Sequence, residues 1–243
     1  MSTLIFDIET VGEKWDDFEN VTKEVLTRWV NKTARNPDEK NALNEDIKAG
    51  LGFSPLTGFV VAIGIYDLER KQGVVYYTGN GGEKDEVSGE YTYKERSEEK
   101  MLLEFWEGAQ HYDTFVTFNG RGFDVPFLLH RSVVHQIKPT KNLMESRYPS
   151  QQESCRHVDL QDELTFFGAV YRKPSLHLFC RAYGIESPKG EVSGDYVAEL
   201  FTSKKFRDIA HYNDRDVVAT TALYQKWLEY LKFENTEDLI LDF

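Results

Sequence analysis

Cysteine, long apolar runs and basic charge are all scarce in this chain. Its 243 residues contain only Cys155 and Cys180, so a disulfide-stapled scaffold is excluded and a reducing, cytoplasmic setting is expected. No apolar run approaches the roughly 18 residues that span a bilayer. The longest, Phe59–Tyr66, is interrupted by Gly64, so no membrane association is expected. The opening MSTLIFDIET has neither a basic start nor a long apolar stretch and does not read as a signal peptide. Basic side chains number 29 against 41 acidic ones, a formal net charge of -12. That balance argues against a protein that coats long phosphate backbones, which needs a basic surface.

The apolar fraction (40%) and charged fraction (29%) are those of an ordered globular chain, and the length suits one large domain or one domain with insertions. Apolar runs predict strands at Thr3–Ile8, Phe59–Tyr66, Gly73–Tyr77, Thr114–Phe118 and His157–Leu160. Helical spacing predicts helices over Thr22–Trp29, Glu98–Tyr112, Phe123–Ser132, Leu176–Tyr183, Tyr196–Phe201 and Phe206–Leu231. Residues 31–48 read as a polar stretch and residues 80–99 as an exposed acidic loop or hairpin. This alternation describes an α/β protein, a mixed sheet with helices on both faces. Charge is uneven: Glu83–Glu107 holds nine acids and four bases, whereas Lys138–Arg207 holds eleven bases and nine acids. An anionic substrate is repelled least by the second half.

Several carboxylates stand where carboxylates are costly. On a strand, Asp7 and Glu9 project from the same face at its C-terminal end, where sites of α/β sheets gather. The plain alternative is an acidic solvent face. Asp124 follows a strand and a glycine turn (Asn119-Gly-Arg-Gly-Phe-Asp-Val-Pro126), where it suits a helix N-cap with Pro126 in the first turn. Tyr212 and Asp216 lie one turn apart on the apolar stripe of Ile209, Ala219, Leu223 and Trp227. An inward carboxylate needs a partner or a metal. Asp7, Glu9, Asp124 and Asp216 could meet, and together they could not all ionise without cations. Two divalent ions about 3.5–4 Å apart answer that need, and oxygen-only ligands favour Mg²⁺ or Mn²⁺.

Phe6-Asp7-Ile8-Glu9-Thr10 resembles the first motif of the DEDD family of 3′–5′ exonucleases. Asn119 through Phe123-Asp124 resembles the second, and Tyr212 through Asp216 the third in its tyrosine form. Leu56-Thr57-Gly58 and Asp216-Val-Val-Ala-Thr220 extend the likeness to stand-alone exonucleases related to the proofreading domain of B-family DNA polymerases. The resemblance implies a ribonuclease H-like fold with a five-stranded mixed sheet. Residues 1–243 then form a single exonuclease domain with an insertion at about 11–58. It also implies release of nucleoside monophosphates from the 3′ end of single-stranded DNA. Asp7, Glu9 and Asp216 would hold the metal carrying the attacking water. Asp7 would bridge to a second metal, served by Asp124, that stabilises the leaving oxygen.

Tyr212, with a reference pKa near 10, would orient the water and not deprotonate it. Thr10, Asn119, Phe123 and Lys189 are the implied substrate contacts, although Lys189 also reads as a solvated loop lysine. His211 to Asp216 fits the histidine form of the third motif, but five residues is about 140° off register on a continuous helix. Trp15, Arg28, Trp29 and Phe53 could line a single-strand path or simply pack the insertion. The same fold acting on RNA, and a non-catalytic nucleic-acid or protein-binding module, are the rival readings. No polymerase or helicase domain accompanies the motifs, so proofreading or repair would need a separate replication or repair protein.

Overall fold

The computed structural model describes residues 2–82, 84–187 and 195–232, and one mixed sheet organises them. Strand β1 (Thr3–Gly12) alternates as the sequence suggests. Leu4, Phe6 and Ile8 enter one core, and Ile5 enters another on the opposite face. Strand β2 (Gly58–Asp67) lies antiparallel to β1, and β3 (Gln72–Tyr77) antiparallel to β2. On the other side β6 (Thr114–Thr117) and β7 (Arg156–Asp159) continue the sheet in parallel. Strand β6 pairs with β1 only through Thr3, Leu4 and Ile5. The second half of β1, carrying Asp7 and Glu9, therefore runs past the end of β6 while staying paired with β2.

The sheet has seven strands, in the order β4-β5-β3-β2-β1-β6-β7, and not the five that the resemblance implies. The two extra strands are β4 (Asp85–Ser88) and β5 (Tyr91–Glu95), inside the segment expected to be an exposed acidic loop or hairpin. Strand β4 is that exposed hairpin arm. Strand β5 instead pairs in parallel with β3 and buries Tyr91 and Tyr93. Tyr-Thr-Tyr-Lys-Glu has the period-two pattern of a half-buried strand, and Gly73 opposite leaves the space that the Tyr91 ring fills.

The insertion between β1 and β2 folds as α1 (Asn20–Thr27), α2 (Val30–Thr33) and α3 (Pro37–Gly50). The polar stretch thus contains a 14-residue helix with no buried residue. Asn36 caps it by accepting from the Glu39 amide at 2.8 Å, and Pro37 opens its first turn. Helices α4 (Glu98–Ala109) and α5 (Asp124–Val134) cover one face of the sheet around Phe6, Phe105, Trp106 and Phe127. Helix α6 (Leu160–Leu164) follows β7 directly. The other face is covered by α7 (Leu176–Tyr183), α8 (Asp195–Thr202) and the 25-residue α9 (Phe206–Tyr230). Among the described residues no helix is long and apolar enough to cross a membrane.

Candidate active site

Two elements far apart in sequence build the floor of the site. Strand β1 presents Asp7 and Glu9 from one face, and a β-bulge between Glu9 and Thr10 shifts its register against β2 just there. Helix α9 crosses β1 and β2 and brings Tyr212, Asn213 and Asp216. Asp7, Glu9 and Asp216 each place a carboxylate oxygen within 4.8 Å of the others. The helix comes this close because Gly64, opposite Asp7 on β2, has no side chain. A Cβ at residue 64 would overlap the Asn213 carbonyl oxygen and sit 2.9 Å from Val217.

Asn213 was not singled out from the sequence, yet it is fully buried and its amide donates to Asp7 Oδ2 at 2.8 Å. A neutral Asn between Tyr212 and Asp214 carries no signal of its own. Only the helix phase, one residue after an inward Tyr and three before an inward Asp, points to it.

Asp124 joins the site by a different route from the one its sequence position suggests. It is the first residue of α5, whose N-cap is Phe123 with no side-chain capping bond. The expected N-cap role is therefore not the one it plays. Its Oδ1 accepts from the Ile8 amide at 3.0 Å, 116 residues away, which fixes the carboxylate between Asp7 and Glu9 along β1. The preceding loop is held by Asp159 at the end of β7. That carboxylate accepts from the amides of Asn119 (2.8 Å), Arg121 (2.9 Å) and Gln161 (3.0 Å), with Asn119 at a φ of 62°.

Among the described residues no Lys or Arg pairs with Asp7, Glu9 or Asp124. Burial pushes Asp7 well above the ordinary carboxylate range. The charges of Asp124, Asp216 and Glu9 add to that, against the hydrogen bond from Asn213. Glu9 is raised by burial and then by Asp216 and Asp124. Burial takes Asp124 up to about 7, opposed by the bonds from its own amide and that of Ile8 and helped by the charges of Asp159 and Asp216. This is a set of oxygen donors whose mutual repulsion a divalent cation would relieve, so the residues fit such an ion. Tyr212 is buried, and burial followed by the charges of Asp216, Glu9 and Asp7 holds its phenol well above its usual value. At neutral pH it donates a proton and cannot serve as a base.

His211 turns the other way. Its Nδ1 meets Asp214 Oδ2 at 3.1 Å, and its ring packs edge-on against Tyr93. Of the expected substrate contacts, Thr10 spends its hydroxyl proton on Gly52 O at 2.7 Å, tying β1 to the insertion. Phe123 packs on Phe127, and Asn119 is half-buried with its backbone amide on Asp159. Lys189 lies outside the described residues. In the insertion Trp15 lies under Lys48, whereas Trp29 (47%) and Phe53 (65%) are substantially exposed and do not simply pack it.

Strand order and the acidic centre on β1 and α9 define a ribonuclease H-like fold of the polymerase-exonuclease type. The chain belongs to a family described as predicted 3′–5′ exonucleases related to the exonuclease domain of PolB, whose model matches residues 74–239. The match covers Asp124, Tyr212 and Asp216 and begins after Asp7 and Glu9. The fold is also that of part of the family B DNA polymerase from the hyperthermophilic archaeon Pyrobaculum calidifontis, at a TM-score of 0.54 and 18% identity. That likeness covers 93% of this chain and 24% of the polymerase. No curated protein matches the chain.

Proposed function

We propose that the chain is a metal-dependent 3′–5′ exonuclease that removes nucleoside monophosphates one at a time from the 3′ end of single-stranded DNA. Residues 1–243 act as one exonuclease domain, and the two free, buried thiols suit a reducing cytoplasm. The observation that carries the reading is the convergence of Asp7, Glu9 and Asp216 within 4.8 Å, with Asp124 fixed beside them by the Ile8 amide. Asp7, Glu9 and Asp216 would hold one divalent ion, and Asp7 with Asp124 a second. When bound, such ions lower the pKa of the attacking water and stabilise charge on the leaving oxygen.

The remaining work falls to the chain's own groups. Tyr212 keeps its proton and aligns the water through a hydrogen bond. Asn213 keeps Asp7 in one rotamer. Asn119, on the loop pinned by Asp159, meets the terminal nucleotide. Water adds to phosphorus, the P–O3′ bond breaks, and a 5′-monophosphate departs from a shortened strand with a new 3′ hydroxyl. In this reading a replication or repair protein is a partner.

Matched digestion of 5′-labelled single-stranded DNA, duplex DNA and RNA in Mg²⁺, Mn²⁺ and chelator tests the proposal. A metal-dependent ladder fastest on single-stranded DNA is expected, lost in Asp7→Ala and strongly slowed in Tyr212→Phe. A ladder that survives Asp7→Ala would sink the reading. A silent Tyr212→Phe beside an inactive His211→Ala would transfer the tyrosine's role to His211.

A further inference from the structure

Between α6 and α7 the chain runs through a loop, Phe166–Ser175, that the carboxylate site does not use. Its backbone holds Phe166 and Phe167 at φ of 52° and 54°, left-handed conformations that bulky residues rarely adopt, before Gly168 at 95°. One ring is anchored: Phe167 packs on Tyr148 with centroids 4.9 Å apart. The other faces water, with Phe166 58% exposed and Tyr171, five residues on, 98% exposed. Arg172 and Lys173 follow at once. Both are exposed, and neither has an acidic partner among the described residues. No acid occurs from Leu164 to Ile185, in a chain with 41 of them.

The C-terminal end of this loop is tied to the segment that Asp159 holds. Gln161, whose amide is held by Asp159, donates from its side chain to Pro174 O at 3.4 Å. The same Asp159 holds the Asn119–Arg121 loop and adds its charge to that of Asp124. Beyond the loop, α7 packs Phe179 on Phe118 and sets Cys180 near enough to Asp216 to feel its charge. The loop therefore connects α6, which follows the Asp159 whose charge acts on Asp124, to α7, which carries Cys180 within the field of Asp216.

We propose that Phe166 and Tyr171 are a stacking platform, and Arg172 and Lys173 a phosphate clamp, for the unpaired nucleotides upstream of the 3′ end. The proposal rests on the exonuclease reading and specifies its substrate as a single-stranded tail. Bases inside a duplex have both faces covered by their neighbours, whereas unpaired bases offer free faces to aromatic rings whatever their sequence. A chain of net charge -12 has no broad basic surface to spread the grip over. A patch that is aromatic, cationic and free of acids, on the loop joining α6 to α7, would supply that grip locally.

The test uses Phe166→Ala, Tyr171→Ala and the double variant. Binding of 5′-fluorescein dodecathymidylate is read by anisotropy in Ca²⁺, and cleavage of the dodecamer and of a labelled dinucleotide in Mg²⁺. Each single variant should lose affinity for the dodecamer by about tenfold. Its kcat/KM on the dodecamer should fall in parallel. The dinucleotide has no base at the third or later position from its 3′ end, so its cleavage should be unchanged, which also shows that the variants fold. A dodecamer with abasic residues at the third to sixth positions from its 3′ end should bind the wild type as weakly as the intact dodecamer binds the double variant. The two losses should not add. Equal binding of intact and abasic strands by wild type and double variant overturns the platform and leaves the exonuclease reading standing. Ring-dependent binding by a wild type that cleaves nothing does the reverse.

Discussion

The inward carboxylates on β1 and α5 and the inward carboxylate of Glu98 are treated in opposite ways. Glu98, at the start of α4, is surrounded by donors. Arg131 offers Nε and Nη2 at 2.8 Å each, His135 Nε2 lies at 2.8 Å, and the Val60 amide donates at 2.8 Å. Burial alone would raise its pKa, but the bonds from Arg131, His135 and Val60 win and hold it below the usual carboxylate range. Asp7 and Glu9 accept from the neutral Asn213 side chain and Asp124 from backbone amides, no Lys or Arg among the described residues pairs with them, and their pKa values rise. The chain can neutralise a buried acid when the fold needs it. Asp7 and Glu9 are instead raised by the charges around them, a repulsion that a bound cation would relieve, whereas Glu98 is satisfied by the fold itself.

The contrast is tested most severely by neutralising one acid on each side. Asp7→Asn should abolish cleavage and at the same time raise the melting temperature of the metal-free protein, because one repelling charge is gone. A fall in that temperature would show the cluster to be structural. Glu98→Gln should do the opposite, leaving kcat per folded molecule intact while costing about 3 kcal/mol in denaturant unfolding, because Arg131 is left buried without its partner. Asn213→Ala should weaken Mg²⁺ binding about 10- to 100-fold by calorimetry, with the fold preserved, since Asp7 loses the group that orients it. Unchanged affinity would remove Asn213 from the site.

The smallest effect is one of pH. Asp7, Glu9 and Asp124 have folded pKa values above the unfolded references near 3.9 and 4.3. Between those references and about 7 the metal-free folded chain binds more protons than the unfolded one. Its stability therefore falls as pH rises through that window and recovers on acidification. Glu98 runs the other way, its contribution being lost as pH falls through its lowered value. Melting curves without metal should show the first slope between about pH 5 and 7, and saturating Mg²⁺ should remove it. The same slope with and without Mg²⁺ would mean that the ion does not bind these acids.

Much of this was legible in the residues, and what was not has identifiable causes. Strands β1 and β2 and helix α9 carry strong apolar periodicity, so the elements bearing Asp7, Glu9, Tyr212 and Asp216 could be placed from sequence. Helix α3 has no buried face and hence no stripe to read; only Asn36-Pro37 marked its start. Strand β5 lies in an acidic, glycine-rich segment, and its tyrosines are buried by distant groups, with Arg207 on α9 lying 3.5 Å over the Tyr93 ring. Asp124 looked like a helix cap because local chemistry permitted it, but the donor that claims its carboxylate is the Ile8 amide. The metal-type site was readable as a set of charges. The neutral groups that shape it, Asn213 and Gly64, were not.

Gly64 has one further consequence. By letting α9 settle onto β2, it sets the span between the Asp216 carboxylate on the helix and those of Asp7 and Glu9 on the strand. Under the proposed metal-dependent reading, that span would act as a gauge of ionic radius. Mg²⁺ accepts oxygens only near 2.0–2.1 Å, whereas Ca²⁺ tolerates 2.3–2.6 Å and looser geometry. A single methyl group at residue 64 would hold helix and strand apart, and the ratio of Mg²⁺ to Ca²⁺ affinity in Gly64→Ala should shift toward the larger ion. Cation choice would then be governed by a residue that touches no cation.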